Sequence, residues 1–141
     1  MKEYIVFETP YWKVVLSDNQ KYIGRSVVLL KRECGDLADL QNEEILDFLE
    51  VVKTLEKLLR KTFNATMFNW TCLMNDSYKE INPNPQVHWH CWPRYNHPVE
   101  FMGEIFEDPN FGHHYLRGPE DKRAILNSSM ESLLNLLRSN L

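Results

Sequence analysis

Gln86, His88 and His90 occupy every second position of the stretch Gln86-Val87-His88-Trp89-His90-Cys91-Trp92-Pro93-Arg94. In an extended strand such positions share a face, about 6.5–7 Å apart, so two imidazoles and an amide form one row. Val87, Trp89 and Cys91 then point the other way, into a core. A neutral His88 whose second ring nitrogen is held by a backbone carbonyl is a competent nucleophile toward phosphorus. His90 and Gln86 would steady the non-bridging oxygens or the leaving group as charge develops, and water attacking the phosphoramidate would complete a hydrolytic cycle. The same two imidazoles reach a single metal ion from one face, provided a third ligand joins them; His97, His113 and His114 are available. By spacing alone the phosphoryl and metal chemistries stand level, and a histidine on a strand is commonly only a satisfied core or surface residue.

These side chains need a sheet to hold them. Tyr4 to Thr9 and Trp12 to Ser17 read as two short strands meeting near Pro10, because β-branched and aromatic residues dominate both. A polar turn, Ser17 to Lys21, and Gly24 precede a third strand, Ser26 to Leu30, and Glu33 to Leu40 is irregular. Asn42 reads as the N-cap of a helix running to Lys61, with Glu43 and Glu44 in its first turn. Ile45, Phe48, Leu49, Val52, Leu55, Leu58 and Leu59 recur at helical spacing and predict one buried stripe. Ala65 to Met74 and Val87 to Tyr95 are the next strands, separated by a polar loop, Asn75 to Pro85. Pro98 to Gly118 reads as an ordered loop or short hairpin. Pro119 suits a first helical position, and Leu126, Met130, Leu133 and Leu137 continue a second amphipathic helix to the C-terminus. Strands clustered on either side of a helix indicate an α+β domain with an antiparallel sheet.

The 141 residues suit a single domain with a real core. Sixteen Lys and Arg against 20 Asp and Glu leave a net charge of −4, which argues against a nucleic-acid-binding face. A small anionic ligand in a locally positive pocket stays compatible with that balance. Three widely spaced cysteines, Cys34, Cys72 and Cys91, point to a reduced, cytoplasmic setting rather than a disulfide framework. Neither a leader peptide nor a membrane span is expected. Arg94 is expected in a surface ion pair, Trp70 and Trp92 in packing, and His113 and His114 in capping a loop rather than closing over a pocket or feeding a metal.

Gln86 to Tyr95 resembles the signature of the histidine triad (HIT) superfamily, in which histidines alternate with apolar residues and Pro-Arg often follows. Registering on Pro93-Arg94 puts Gln86 at the first triad position, His88 at the second and His90 at the third. Pro85-Gln86 is similar to a HIT-like branch with Gln at the first position. The resemblance implies that His88 is the nucleophile and that Gln86 orients it through its backbone carbonyl. Asp18-Asn19-Gln20, Gly24 and Ser26 to Leu30 resemble the family's nucleoside-side turn and first long strand, which implies ribose contacts from Asp18 or Asn19. The helix from Asn42 to Lys61 matches the family's main helix. Asn75, eleven residues before Gln86, has the spacing of a phosphate-contacting Asn. Members commonly carry a Gly-Gln-Ser/Thr element before the triad; here the loop reads Glu80-Ile81-Asn82-Pro83-Asn84-Pro85, so Asn82 would replace the Gln and Pro83 lacks both hydroxyl and backbone donor.

The likeness spans about residues 3 to 100 of one HIT-like domain covering 1–141, with an extension and helix over about 101–141 similar to the tail of a microbial HIT-like subgroup. It implies a fold with an antiparallel meander, one long central helix and a C-terminal helix. It also implies a nucleotide hydrolase or nucleotidyl transferase attacking the α-phosphate of a (di)nucleoside polyphosphate, diadenosine polyphosphates among them, or of a nucleoside phosphoramidate. A covalent nucleotidyl-histidine intermediate and a homodimer follow from the same likeness; the chemistry itself needs no cofactor or protein-held metal, and Mg²⁺ can accompany a polyphosphate substrate. Nucleic acid and membrane are not expected as partners. The alternatives are a non-catalytic nucleotide-binding protein of the same fold and an HxH metal-binding protein.

Overall fold

Buried and half-buried side chains alternate strictly along Trp12–Leu16 and Ser26–Leu30, as in strands that pack one face against a core. In the computed structural model, which describes residues 2–141, five strands form one sheet: β1 (Ile5–Glu8), β2 (Trp12–Leu16), β3 (Ser26–Leu30), β4 (Met67–Thr71) and β5 (His88–Arg94), in the order β1-β2-β3-β5-β4. Every pairing is antiparallel. The histidine strand therefore lies inside the sheet, between β3 and β4, where two hydrogen-bonded ladders fix its register. β4 is shorter than the sequence predicts: its pairing with β5 runs only from Met67 to Thr71, and beyond it Met74 takes the left-handed region (φ 60°).

Helix α1 (Asn42–Phe63) covers one face of the sheet. Val51, Leu55, Leu58, Leu59 and Phe63 are buried along it, and Phe48 stacks on Trp89 with ring centroids 4.9 Å apart. The predicted stripe is rotated at its start. Ile45 and Leu49 are about half exposed (47% and 48%), and Glu44 takes the buried row instead. The cause is a polar lock. Glu44 accepts from Arg32 Nε and Nη2, both at 2.8 Å, and from the Gln41 backbone N–H at 2.8 Å. The Arg32 hydrogen bonds are the largest of the causes that hold its carboxyl below the usual range. Fully buried Trp12 donates its indole N–H to the Glu44 carbonyl at 2.8 Å. Gln41, not Asn42, is thus the N-cap, and Asn64 closes the helix in the left-handed conformation.

The C-terminal part folds as a hairpin, β6 (Val99–Phe101) and β7 (Glu104–Phe106), then a loop, then α2 (Asn127–Ser139). Pro119 opens only a single 3-10 turn, Pro119–Asp121, and α2 starts eight residues after Pro119. The intervening backbone is used in docking instead: the Arg123 carbonyl accepts from Gln20 N–H at 2.8 Å, and Arg123 N–H donates to Asn19 Oδ1 at 3.0 Å. Met130, Leu133, Leu134 and Leu137 are the buried face of α2. Among the described residues no helix is long and apolar enough to cross a membrane.

Candidate functional site

Alternation along β5 sends Trp89 and Cys91 toward α1 and leaves His88, His90, Trp92 and Arg94 on the opposite face. The ladders extend a row across it: Val15 pairs with Val27, Val27 with His90, and His90 with Thr71. All four side chains are half-buried, as befits a floor open to a ligand.

His88 Nδ1 lies 2.7 Å from the Gln86 carbonyl oxygen. A carbonyl only accepts, so Nδ1 carries a proton, and in the neutral ring the lone pair is then on Nε2. The Gln86 side chain is fully engaged elsewhere: Nε2 donates to the carbonyls of Leu30 (2.9 Å) and Arg32 (2.7 Å), and Oε1 accepts from Cys34 N–H (2.9 Å). Its amide therefore clips the end of β3 to the loop after it, and the carbonyl alone serves His88. The His90 ring is 5.1 Å from that of His88, with Nδ1 3.5 Å from Arg25 Nη2. Burial, reinforced by Arg25, His88 and Arg117, pushes the His90 imidazole down to about 4, so it is neutral near pH 7.

Two cavities meet at Arg25 and His90. A groove of about 840 Å³ is lined by Tyr4, Val15, Asp18, Val27, Ile125 and Met130 among others. A smaller pocket of about 190 Å³ holds Asn19, Thr71, Asn75, His88 and Arg117 with Arg25 and His90. Buried polar atoms normally find partners. Of the four here that have none among the described residues, the Arg25 Nε, Thr71 Oγ1 and Trp92 Nε1 atoms belong to residues of this smaller pocket. Two are donors only, and the Thr71 hydroxyl can donate or accept. Arg25 sits 3.6 Å above the Trp92 ring, and burial lowers its guanidinium to about 10, so it remains a cation with little solvent to stabilise it.

Of the residues singled out in sequence, His88, His90, Asn19 and Asn75 share the smaller pocket, and Asp18 joins His90 in the groove. Asp18 is mostly exposed and pairs with Lys122 at 3.3 Å. Asn82 is not brought in: it is exposed and lines neither cavity, being carried away by the proline-flanked loop. Arg94 is no surface pair. It is fully buried, with Nε 2.6 Å from Asp108 Oδ2. His113 and His114 are exposed and line neither cavity; the His113 carbonyl instead accepts from Arg94. Trp92 packs as expected, stacked on Tyr115 at 3.9 Å.

Sequence reasoning misses Arg25, Thr71 and Arg117. A charged residue at the mouth of an apolar strand, directly after Gly24, was a usable sign for Arg25. Gly24 itself is required: its φ is +91°, and a Cβ there would lie 2.6 Å from Leu59 Cδ2. Thr71 is placed by register and Arg117 by a long loop, and neither leaves a local signal. Among the described residues no three His, Cys, Asp or Glu side chains gather around a metal position.

Residues 1–97 match the family model described as HIT domain. Among solved structures, a histidine triad protein from Marinobacter aquaeolei is similar with a TM-score of 0.73 and 17% identity, over 99% of this chain and 88% of that one. A hypothetical histidine triad nucleotide-binding protein from Sulfolobus tokodaii gives 0.67 and 14%, over 99% and 84%. The diadenosine triphosphate hydrolase of Plasmodium falciparum gives 0.63 and 18%, over 96% and 74%. At these identities the likeness is one of fold. No curated protein sequence matches the chain.

Proposed function

The chain belongs to the histidine triad family through its HIT domain, and from that premise we propose that it is a nucleotide hydrolase or nucleotidyl transferase. The observation that carries the reading is the 2.7 Å contact between His88 Nδ1 and the Gln86 carbonyl. In the neutral imidazole it puts the lone pair on Nε2, on a ring that lines a donor-rich pocket. In this reading the nucleoside occupies the larger groove, where Asp18 is within reach as an acceptor for ribose hydroxyls. The α-phosphate lies at the junction of the two cavities, with Asn75, Asn19, Thr71 and neutral His90 as its polar neighbours.

The His88 Nε2 lone pair forms the P–N bond as the bond from phosphorus to the leaving group breaks. Charge on the equatorial oxygens is met by fixed donors, an arrangement that lowers barriers because it needs no reorganisation. Water then attacks phosphorus, the P–N bond breaks, and the electron pair returns to Nε2 with release of a nucleoside monophosphate. This chemistry uses no protein-held metal; a polyphosphate would bring its own Mg²⁺. A homodimer fits the reading as well. β4 is an open sheet edge, and Ile45, Leu46 and Leu49 form an exposed apolar face on α1.

Intact-mass measurement after brief mixing with purine dinucleoside polyphosphates and nucleoside phosphoramidates tests the proposal. A nucleotidyl adduct is expected on the wild type and none on His88→Asn, which should still bind nucleotide. No adduct and no product across the panel would leave a non-catalytic nucleotide binder as the reading. One observation favours that second reading: Pro83 and the outlying Asn82 remove the donors of the loop before the triad.

A further inference from the structure

Arg117 lies beyond the stretch that matches the HIT domain, yet it lines the small pocket beside His88 and His90. Its position is held from both sides. Before it, Tyr115 stacks on Trp92 and Leu116 N–H donates to the Tyr22 hydroxyl at 2.8 Å. After it, Gly118 N–H donates to Asp121 Oδ2 at 3.1 Å. The carboxylates of this end of the molecule are committed to other cations: Asp18 to Lys122, Asp76 to Lys79, Asp108 to Arg94 and Asp121 to Lys21. Asp76 lines the same pocket but pairs with Lys79, and among the described residues neither Arg25 nor Arg117 has a carboxylate within ion-pair distance, on a protein whose net charge is −4.

Resting on the nucleotidyl-transfer reading above, we propose that Arg25 and Arg117 form a two-guanidinium subsite for an anionic leaving group, with Arg117 as the residue that selects phosphoanhydride over phosphoramidate substrates. When the bond from the α-phosphorus to its bridging oxygen breaks, that oxygen keeps the electron pair and the departing phosphate gains a negative charge. Planar, always-charged guanidiniums are the side chains best shaped to receive it. No proton need travel with this group. An amine, by contrast, leaves only with an added proton, which guanidiniums do not supply, and carries no anion for them to hold.

Two measurements separate this inference from the reading beneath it. The first compares ADP with AMP, and GDP with GMP, by calorimetry on His88→Asn and on His88→Asn/Arg117→Gln. The diphosphate of the preferred base should bind at least about tenfold more tightly to the first protein, and Arg117→Gln should remove most of that advantage, the loss expected for one charge-assisted hydrogen bond. The second follows turnover of a dinucleoside polyphosphate and a phosphoramidate of that base by wild type and Arg117→Gln. The ratio of their kcat/KM values should fall about 10- to 100-fold in the variant. Equal binding of mono- and diphosphate, or a ratio unmoved by Arg117→Gln, overturns the subsite. Absence of any His88 adduct overturns the catalytic reading instead, and the ADP/AMP comparison still decides the subsite.

Discussion

Replacing Arg94 with Met should cost more stability than any other single change near the site. The guanidinium is fully buried and makes five hydrogen bonds: two to Asp108 (2.6 and 3.0 Å), one to Asn69 Oδ1 (2.9 Å), and one each to the carbonyls of His113 (2.7 Å) and Asn110 (2.8 Å). Methionine fills much of the volume but leaves the Asp108 carboxylate buried without its cation, which costs about 3–5 kcal/mol. Each stranded carbonyl adds about 1–3 kcal/mol if it stays buried. The loop would sooner open and hydrate them, so about 3–5 kcal/mol is the expected loss in urea unfolding, a large share of the 5–15 kcal/mol typical of a domain. Adding Asp108→Leu removes the stranded charge and should restore part of the loss. Recovery stays incomplete, because Asp108 also accepts from the backbone N–H groups of Tyr95 (3.3 Å) and Asn110 (3.1 Å). A single variant within about 1 kcal/mol of wild type, or a double variant less stable than the single, would refute this account of how the C-terminal loop is fastened.

Acid should destabilise the protein through His90. Its folded value, about 4, lies below the ordinary 6.5, so the unfolded chain binds more protons between the two and stability falls as pH drops through that window. Allowing for its partial exposure, wild type should lose roughly 1–2 kcal/mol more than His90→Gln between pH 6.5 and 4 in urea titrations, and equal losses would contradict the shift. Gln86→Ala should lower stability by about 2–3 kcal/mol through three lost hydrogen bonds while leaving adduct formation at His88 within a few-fold, since the orienting carbonyl belongs to the backbone. Adduct formation abolished in a folded Gln86→Ala protein would give the amide a chemical role.

What the sequence could disclose follows from the range of each signal. Period-two alternation acts over a few residues, and it correctly parts His88 and His90 from Trp89. Period-3.6 spacing finds α1, but it could not foresee that Arg32 and Trp12 would draw Glu44 into the buried row ahead of Ile45. Pro119 carries a sound local cue for a helix start, yet the next residues are claimed by Asn19 and Gln20, about a hundred positions away. Thr71 reaches the site only because β4 pairs with β5 in one particular register. Arg117 does so because buried Arg94 anchors the loop leading to it. The histidine row and the fold lie in local pattern, whereas the cations and the orphan donors around them depend on long-range pairing.

The departure at position 86 has a physical logic of its own. What orients His88 is a carbonyl, and every residue has one, so the side chain there is released for structural use. The three partners around it are two carbonyls and one backbone N–H, and a primary amide matches them with two N–H donors and one acceptor oxygen. A neutral imidazole offers one donor and one acceptor. Histidine at 86 would therefore leave one of these carbonyls unsatisfied, beside the strand that carries His88, without adding anything to the backbone carbonyl that His88 meets. On this reasoning Gln86→His should restore the family's triad in sequence and yield a less stable protein whose rate of adduct formation does not rise.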